Sequence, residues 1–179
     1  NAAGAVRLKI LLGDYPVTRA LRTGAIRSKH VSLDFAEVKV PSSAFKRVVR
    51  QLEFDVAELA IVTFLMAKAH DRPLALLPAV VMARFQHPLI LYNAERGSLA
   101  PGDLAGRRVG VRSYSVTTGA WIRGILAEDY GLNINSIRWV TFEDAHVAEF
   151  RDPPSVERAP EGRKILDMLL SGEIDAAIV

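Results

Sequence analysis

An arginine followed by a dense run of hydroxyl groups, Arg112-Ser113-Tyr114-Ser115-Val116-Thr117-Thr118-Gly119, is the part of this chain best suited to chemistry. Hydroxyls and unpaired backbone amides at the mouth of a helix attract a carboxylate or another anion, helped by the positive end of the helix dipole. Ser113, Tyr114, Thr117 and Thr118 exceed what a simple helix cap needs, so ligand contact is the favoured role for them. Arg112 ends an apolar strand, and its charge must reach solvent or an anionic partner.

A second copy of this arrangement lies near the N-terminus, in Gly13-Asp14-Tyr15-Pro16-Val17-Thr18-Arg19-Ala20, where Tyr15-x-Val17-Thr18 mirrors Tyr114-x-Val116-Thr117. Asp14 reads equally as a ligand contact or as the cap of the next helix, and Tyr15 as a contact or as packing at that helix's base. Thr18 and Arg19 are stronger candidates, because Arg19 could pair bidentately with a carboxylate, or simply be solvated on a first helical turn. Thr63 opens a later helix and stands as ligand contact or plain N-cap.

The elements that must position these residues follow a repeated plan. Strands are expected at Val6 to Leu12, Val31 to Val38 and Phe54 to Ile61, with helices at Thr18 to Leu21, at Ala44 to Leu52 behind a Ser42 N-cap, and at Thr63 to Ala69. Leu74 to Met82 and Leu89 to Tyr92 read as two further strands that cross between lobes. The second half predicts a strand before Arg112, a helix after it that Gly131 ends, a strand at Ile137 to Phe142, and a helix at Gly162 to Leu170. Ile165, Leu166, Leu169 and Leu170 form that helix's apolar face, and a last strand starts at Ile174. Glu143 to Ala159 is an insert absent from the first half and is expected to form a surface flap. Glu53-Phe54-Asp55-Val56-Ala57 and Glu173-Ile174-Asp175-Ala176-Ala177 close the two halves in the same way, which is the mark of a duplicated supersecondary unit. The reading is therefore α/β, with a first lobe at residues 1–92 and a second at 93–179.

Half of the 179 residues are hydrophobic, enough for a substantial core. The absence of Cys excludes disulfides, thiolate metal sites and a cysteine nucleophile. A net charge of +3 with scattered basic residues fits a small anionic ligand and argues against nucleic acid. No apolar run is long enough for direct membrane insertion. Residues 1–6 show neither the charged nor the apolar region of a signal peptide, yet Asn1-Ala2 reads as a tag remnant, so a removed leader stays open. The chain stops inside a core-type strand, which predicts that the second lobe continues beyond Val179.

Several motifs resemble one known family. Gly13-Asp14-Tyr15-x-x-Thr18-Arg19-x-Leu21, Glu53-Phe54-Asp55-Val56-x-Glu58-Leu59, Arg84-Phe85-x-His87 and Glu149-Phe150-Arg151-Asp152-Pro153-Pro154 look like the 4,5-dihydroxyphthalate decarboxylase-like branch of the type II periplasmic-binding-protein architecture. Asp103-Leu104-x-Gly106-x-Arg108-Val109-Gly110-Val111 is similar to the second-lobe entry of many solute-binding proteins. The resemblance implies two α/β lobes, each a sheet flanked by helices, with a small carboxylate in the cleft between them. It further implies non-oxidative decarboxylation of an aromatic dicarboxylate without organic cofactor, and no spacing among the four histidines and nearby carboxylates resembles a metal site. On that reading Arg19, Arg84 and the 113–118 loop hold carboxylates, while His87 or Tyr114 supplies the proton to the ring carbon. His87 also reads as a hinge residue, and His30, His70 and His146 as surface residues. The alternative is a solute-binding protein that delivers an organic anion to a transporter permease without catalysis. The enzyme would be cytoplasmic and the binding protein periplasmic.

Overall fold

Strands and helices alternate along the chain, and the computed structural model describes residues 4–179. Asn1-Ala2, read as a tag remnant, lies outside the described residues. The protein is α/β and divides into two units between Ala83 and Arg84.

In the first unit β1 (Val6–Leu11) is followed by α1 (Arg19–Arg22), β2 (Val31–Phe35), α2 (Phe45–Gln51), β3 (Val56–Ala57) and α3 (Ile61–Ala69). Its parallel sheet has the order β2-β1-β3. Ile10 and Leu11 of β1 are buried, as are Phe45, Val48 and Val49 of α2 and Ala67 of α3. Pro41 starts a 3-10 turn that leads into α2, so Ala44 rather than Ser42 holds the N-cap position. The third strand is shorter than expected, because Ile61 already begins α3. Leu74 to Met82 forms no strand. Pro78 cannot donate to a ladder, and tight turns close from Leu74 to Arg72 and from Ala79 to Leu77.

The second unit contains β4 (Ile90–Tyr92), β5 (Arg108–Val111), α4 (Thr117–Glu128), β6 (Arg138–Thr141), β7 (Glu157–Arg158), α5 (Ile165–Ser171) and β8 (Ala176–Ile178). The sheet order is β4-β8-β5-β6-β7, with only β4 antiparallel. β4 therefore belongs to this sheet, and the division falls before it rather than after Tyr92. Alternate side chains go to opposite faces of each strand, as the pleat requires. One face joins Val109, Val111, Trp139, Ala176 and Ile178 to Ile122 and Leu126 of α4. The other joins Val140 and Ala177 to Met168 and Leu169 of α5, where Gly110 has no side chain because α5 and the residues after it pack down on it: a Cβ there would lie 3.0 Å from Ile165 Cγ1 of α5 and 2.6 Å from Ile174 Cδ1. Leu166 and Leu170, expected on the apolar face of α5, are exposed, and Met168 takes their place in the core. The stretch 143–159 is likewise no simple flap. It supplies β7 to the sheet edge and buries Ala145, His146 and Val147, which corrects the surface placement of His146.

The repeat read from sequence is structural. β2-β1-β3 and β6-β5-β8 share one order and one register, with Ile10 opposite Val56 and Val109 opposite Ala176. One residue earlier in each pair an aspartate holds the neighbouring strand by two bonds. Lys9 N donates to Asp55 Oδ2 (2.7 Å) while Asp55 N donates to Lys9 O (2.9 Å). Arg108 N donates to Asp175 Oδ2 (2.9 Å) while Asp175 N donates to Arg108 O (2.8 Å). Even the preceding helix ends match, since Leu52 and Gly172 both adopt left-handed backbone, a conformation glycine accepts at less cost than leucine.

Candidate functional site

In parallel sheets of this kind, residues just past the carboxyl ends of the strands are the ones available to a ligand. In the first unit these are Gly13 to Arg19 and Glu58. Thr18 is buried, and its Oγ1 donates to Gly13 O (2.7 Å) and accepts from Tyr15 N (2.9 Å), so it ties the loop together instead of capping α1. Glu58 closes the same loop. Its carboxylate accepts from Gly13 N and from the Tyr15 hydroxyl, each at 2.7 Å. The Tyr15 ring lies over Gly13, where a Cβ would stand 2.4 Å from Cζ. Burial, then the hydrogen bond to Glu58 and its negative charge, push the Tyr15 phenol up to about 12. An internal carboxylate thus already holds a donor that the sequence left open between ligand contact and packing. Arg19 pairs with Asp14 (3.1 Å) with both side chains more than half exposed, a contact of little energetic weight. Thr63 sits in the third position of α3 and is buried, and Ala60 occupies the N-cap, so the plain-cap role does not apply to it.

In the second unit the hydroxyl run leaves β5 at Arg112, whose carbonyl accepts from Phe142 N (3.0 Å) and Glu143 N (2.7 Å) and so joins the ends of β5 and β6. Ser113 and Ser115 are buried with their Oγ atoms 3.3 Å apart. Val116 holds the N-cap position of α4, and no side chain caps the helix there; the hydroxyls expected to do so are directed elsewhere. Thr117 and Thr118 are the first two residues of α4, and Thr118 Oγ1 accepts a long bond from Arg84 Nη2 (3.4 Å). Arg84 thereby reaches the loop. His87 does not: it stands exposed in the 3-10 turn His87–Leu89, with no side-chain hydrogen bond among the described residues.

Tyr114 is only half-buried and is held from two sides. Its ring meets Trp139 edge-on at 6.2 Å, and the Arg123 guanidinium lies 3.8 Å from its centroid, and 5.6 Å from that of Trp139. Past β6, Asp152 Oδ2 accepts from Thr141 Oγ1 (3.3 Å). Among the described residues no group of three or more His, Asp or Glu side chains could hold a metal ion, and no helix is long and apolar enough to cross a membrane.

The loop therefore gathers Arg84, Arg112, Ser113, Tyr114, Thr117 and Thr118 in one unit, while Asp14, Tyr15, Thr18, Arg19 and Thr63 belong to the other. The sequence reading did not single out Glu58, Arg123 or Asp152, which the structure places beside these loops or their partners. For Arg123 a signal existed, since it lies one helical turn past Gly119 and so faces back toward the loop. Glu58 and Asp152 stood inside motifs without any cue to their partners.

No protein-family model matches the chain. It is 32% identical to a 4,5-dihydroxyphthalate decarboxylase of Comamonas testosteroni over 97% of this chain and 54% of that protein. It is 31% identical to a protein of the same name from Pseudomonas putida, over 97% of this chain and 70% of that one. The chain thus spans about half the length of the first relative and more than two thirds of the second. With similarity running through nearly its whole length, the chain belongs to the 4,5-dihydroxyphthalate decarboxylase family.

Proposed function

We propose that the protein binds a small aromatic carboxylate and removes one carboxyl group as carbon dioxide, as a carboxy-lyase that uses no oxidant. The similarity to two proteins named 4,5-dihydroxyphthalate decarboxylase carries this reading. The gathering of cations and hydroxyls around residues 112–118 supports it. The proposal includes a type II periplasmic-binding-protein architecture, with the ligand held between the two units.

For 4,5-dihydroxyphthalate the bond between ring carbon and carboxyl carbon breaks, and its electron pair stays on the ring carbon. A proton arrives there, and the products are carbon dioxide and 3,4-dihydroxybenzoate. Ring hydroxyls can carry the developing charge, so the protein's tasks are to orient the carboxylates, exclude water and deliver one proton. Arg84, Arg112 and the hydroxyls of the loop suit the first task. Tyr114 and His87 are the proton donors within the same unit, and Tyr114 is the better held of the two.

The test is proton NMR of the protein in its natural full length with 4,5-dihydroxyphthalate in deuterated water. Loss of the substrate singlet, with 3,4-dihydroxybenzoate appearing and deuterium at the vacated ring position, is expected. Y114F should slow turnover by at least tenfold, and H87A tests the competing donor. Line broadening without product would replace this reading with solute binding, and no change in the spectrum would remove the ligand class altogether.

A further inference from the structure

Three arginines of the second unit stand at one loop, and none is paired with a carboxylate among the described residues. Arg84 meets Thr118, Arg112 begins the loop, and Arg123 lies against the ring of Tyr114. Four other arginines of this unit pair with acids: Arg107 with Asp175, Arg108 with Glu157, Arg158 with Asp144 and Arg163 with Glu173. Arg138 and Arg151 of the same unit donate to backbone carbonyls instead, so what sets the loop apart is the burial of one of its guanidinium groups rather than the lack of acids.

Arg123 is the member that calls for explanation. Its Nη1 is shut off from solvent and has no hydrogen-bond partner. A ring face on one side is weak compensation for a buried charge, which ordinarily demands an anion and filled hydrogen bonds. Burial lowers the guanidinium from its usual value, opposed only by the charges of the Tyr114 and Asp152 side chains acting through space. The Asp152 carboxylate is already engaged by Thr141. Nη1 also lies beside Gly119, where a Cβ would come within 3.4 Å of it, so the first turn of α4 leaves no side chain between the cation and the backbone of the loop. The side chain as a whole remains partly exposed, and a ligand can therefore approach it without the sheet opening.

We infer that Arg123 is an anion-binding residue of this loop, which contacts a carboxylate of the ligand through its buried guanidinium. The inference rests on the proposed function for the class of ligand, an aromatic dicarboxylate. Arg123 pairs with one carboxylate, and Tyr114 keeps the guanidinium in place when the ligand is absent.

The experiment is calorimetric binding of phthalate, benzoate and catechol to the wild type and to R123K and R123M, with thermal melts of each protein with and without phthalate. Phthalate lacks the ring hydroxyls, so binding is read apart from turnover. Wild type should bind phthalate at least tenfold more tightly than benzoate, and catechol more weakly still. R123M should lose at least tenfold in phthalate affinity, R123K less, and both should bind catechol within twofold of wild type. Because the charge is uncompensated in the free protein, ligand-free R123M should melt no lower than wild type, while the stabilisation by phthalate should vanish. A folded R123M that binds phthalate as tightly as wild type overturns the inference, as does a wild type that does not bind phthalate. A variant that melts lower yet binds unchanged also overturns it, and shows Arg123 to be a structural support for Tyr114. Phthalate binding through Arg123 in a protein that never decarboxylates would leave this site standing and remove the proposed reaction.

Discussion

Replacing Asp175 by alanine tests whether the repeated aspartate holds each sheet together. In the second unit this substitution removes the acceptor of the Arg108 amide (2.9 Å), which is partly buried, and frees Arg107 from a 3.3 Å ion pair. A hydrogen bond to a charged acceptor contributes about 1.5–3 kcal/mol, and a half-exposed ion pair less than about 1 kcal/mol. The backbone bond from Asp175 N to Arg108 O (2.8 Å) survives. D175A should therefore cost about 2 kcal/mol. The same change at Asp55 orphans Lys9 N, but that carboxylate is exposed and the Lys9 ammonium is held by Glu53 instead, so water can take over. D55A should cost about 1 kcal/mol or less. Asparagine keeps a carbonyl acceptor in the same place, and D175N should recover roughly half of the loss. The assay is urea unfolding followed by circular dichroism, compared at constant denaturant slope. Equal losses for D55A and D175A, or a D175N as damaging as D175A, would refute the argument that an orphaned, partly buried amide sets the cost.

Two further predictions concern pH. Arg47, and after it Lys9, hold the Glu53 carboxyl down from 4.5 to about 2, so its contribution to stability is complete above about pH 4.5 and is lost as pH falls through 2. The urea midpoint of the wild type should drop between pH 5 and pH 2 by more than that of E53Q. Tyr15 behaves in the opposite sense: its phenol is raised from 10 to about 12, so its stabilising effect is present below pH 10 and lost as pH rises through 12. Absorbance titration at alkaline pH should show one late-ionising tyrosine that disappears in Y15F and ionises earlier in E58Q; an unchanged titration in E58Q would contradict the assignment.

The repeat was the most legible feature of the sequence because it is written twice, in strands with apolar faces and in an acidic residue at a fixed offset. What periodicity does not encode is partnership. Leu74 to Met82 has strand composition but contains Pro78 and pairs with no sheet. His146 sits in a charged, proline-containing stretch that reads as solvated, yet Val147 beside it is buried and carries the segment inward. Hydroxyl-rich residues at a helix start suggest capping, and here the cap position falls on Val116 and Ala60 because the preceding loops set where each helix begins. Arg123 was hidden for a related reason. An arginine in the middle of an amphipathic helix looks solvated until the tertiary fold places an aromatic ring against it.

Asp55 and Asp175 stand just before the amino ends of β3 and β8, and the hydroxyl loop and the Gly13 to Arg19 turn follow the carboxyl ends of β5 and β1. The labour of staying folded and the labour of meeting a ligand are thus assigned to opposite edges of each sheet. Such a chain can be re-specified by loop grafting: a new run between Val111 and α4 would change what is bound while the register set by Asp175 and Arg108 keeps the strands in place. The same separation makes the two halves natural internal controls for engineering, since a loop transplanted from one to the other arrives on an already matched frame.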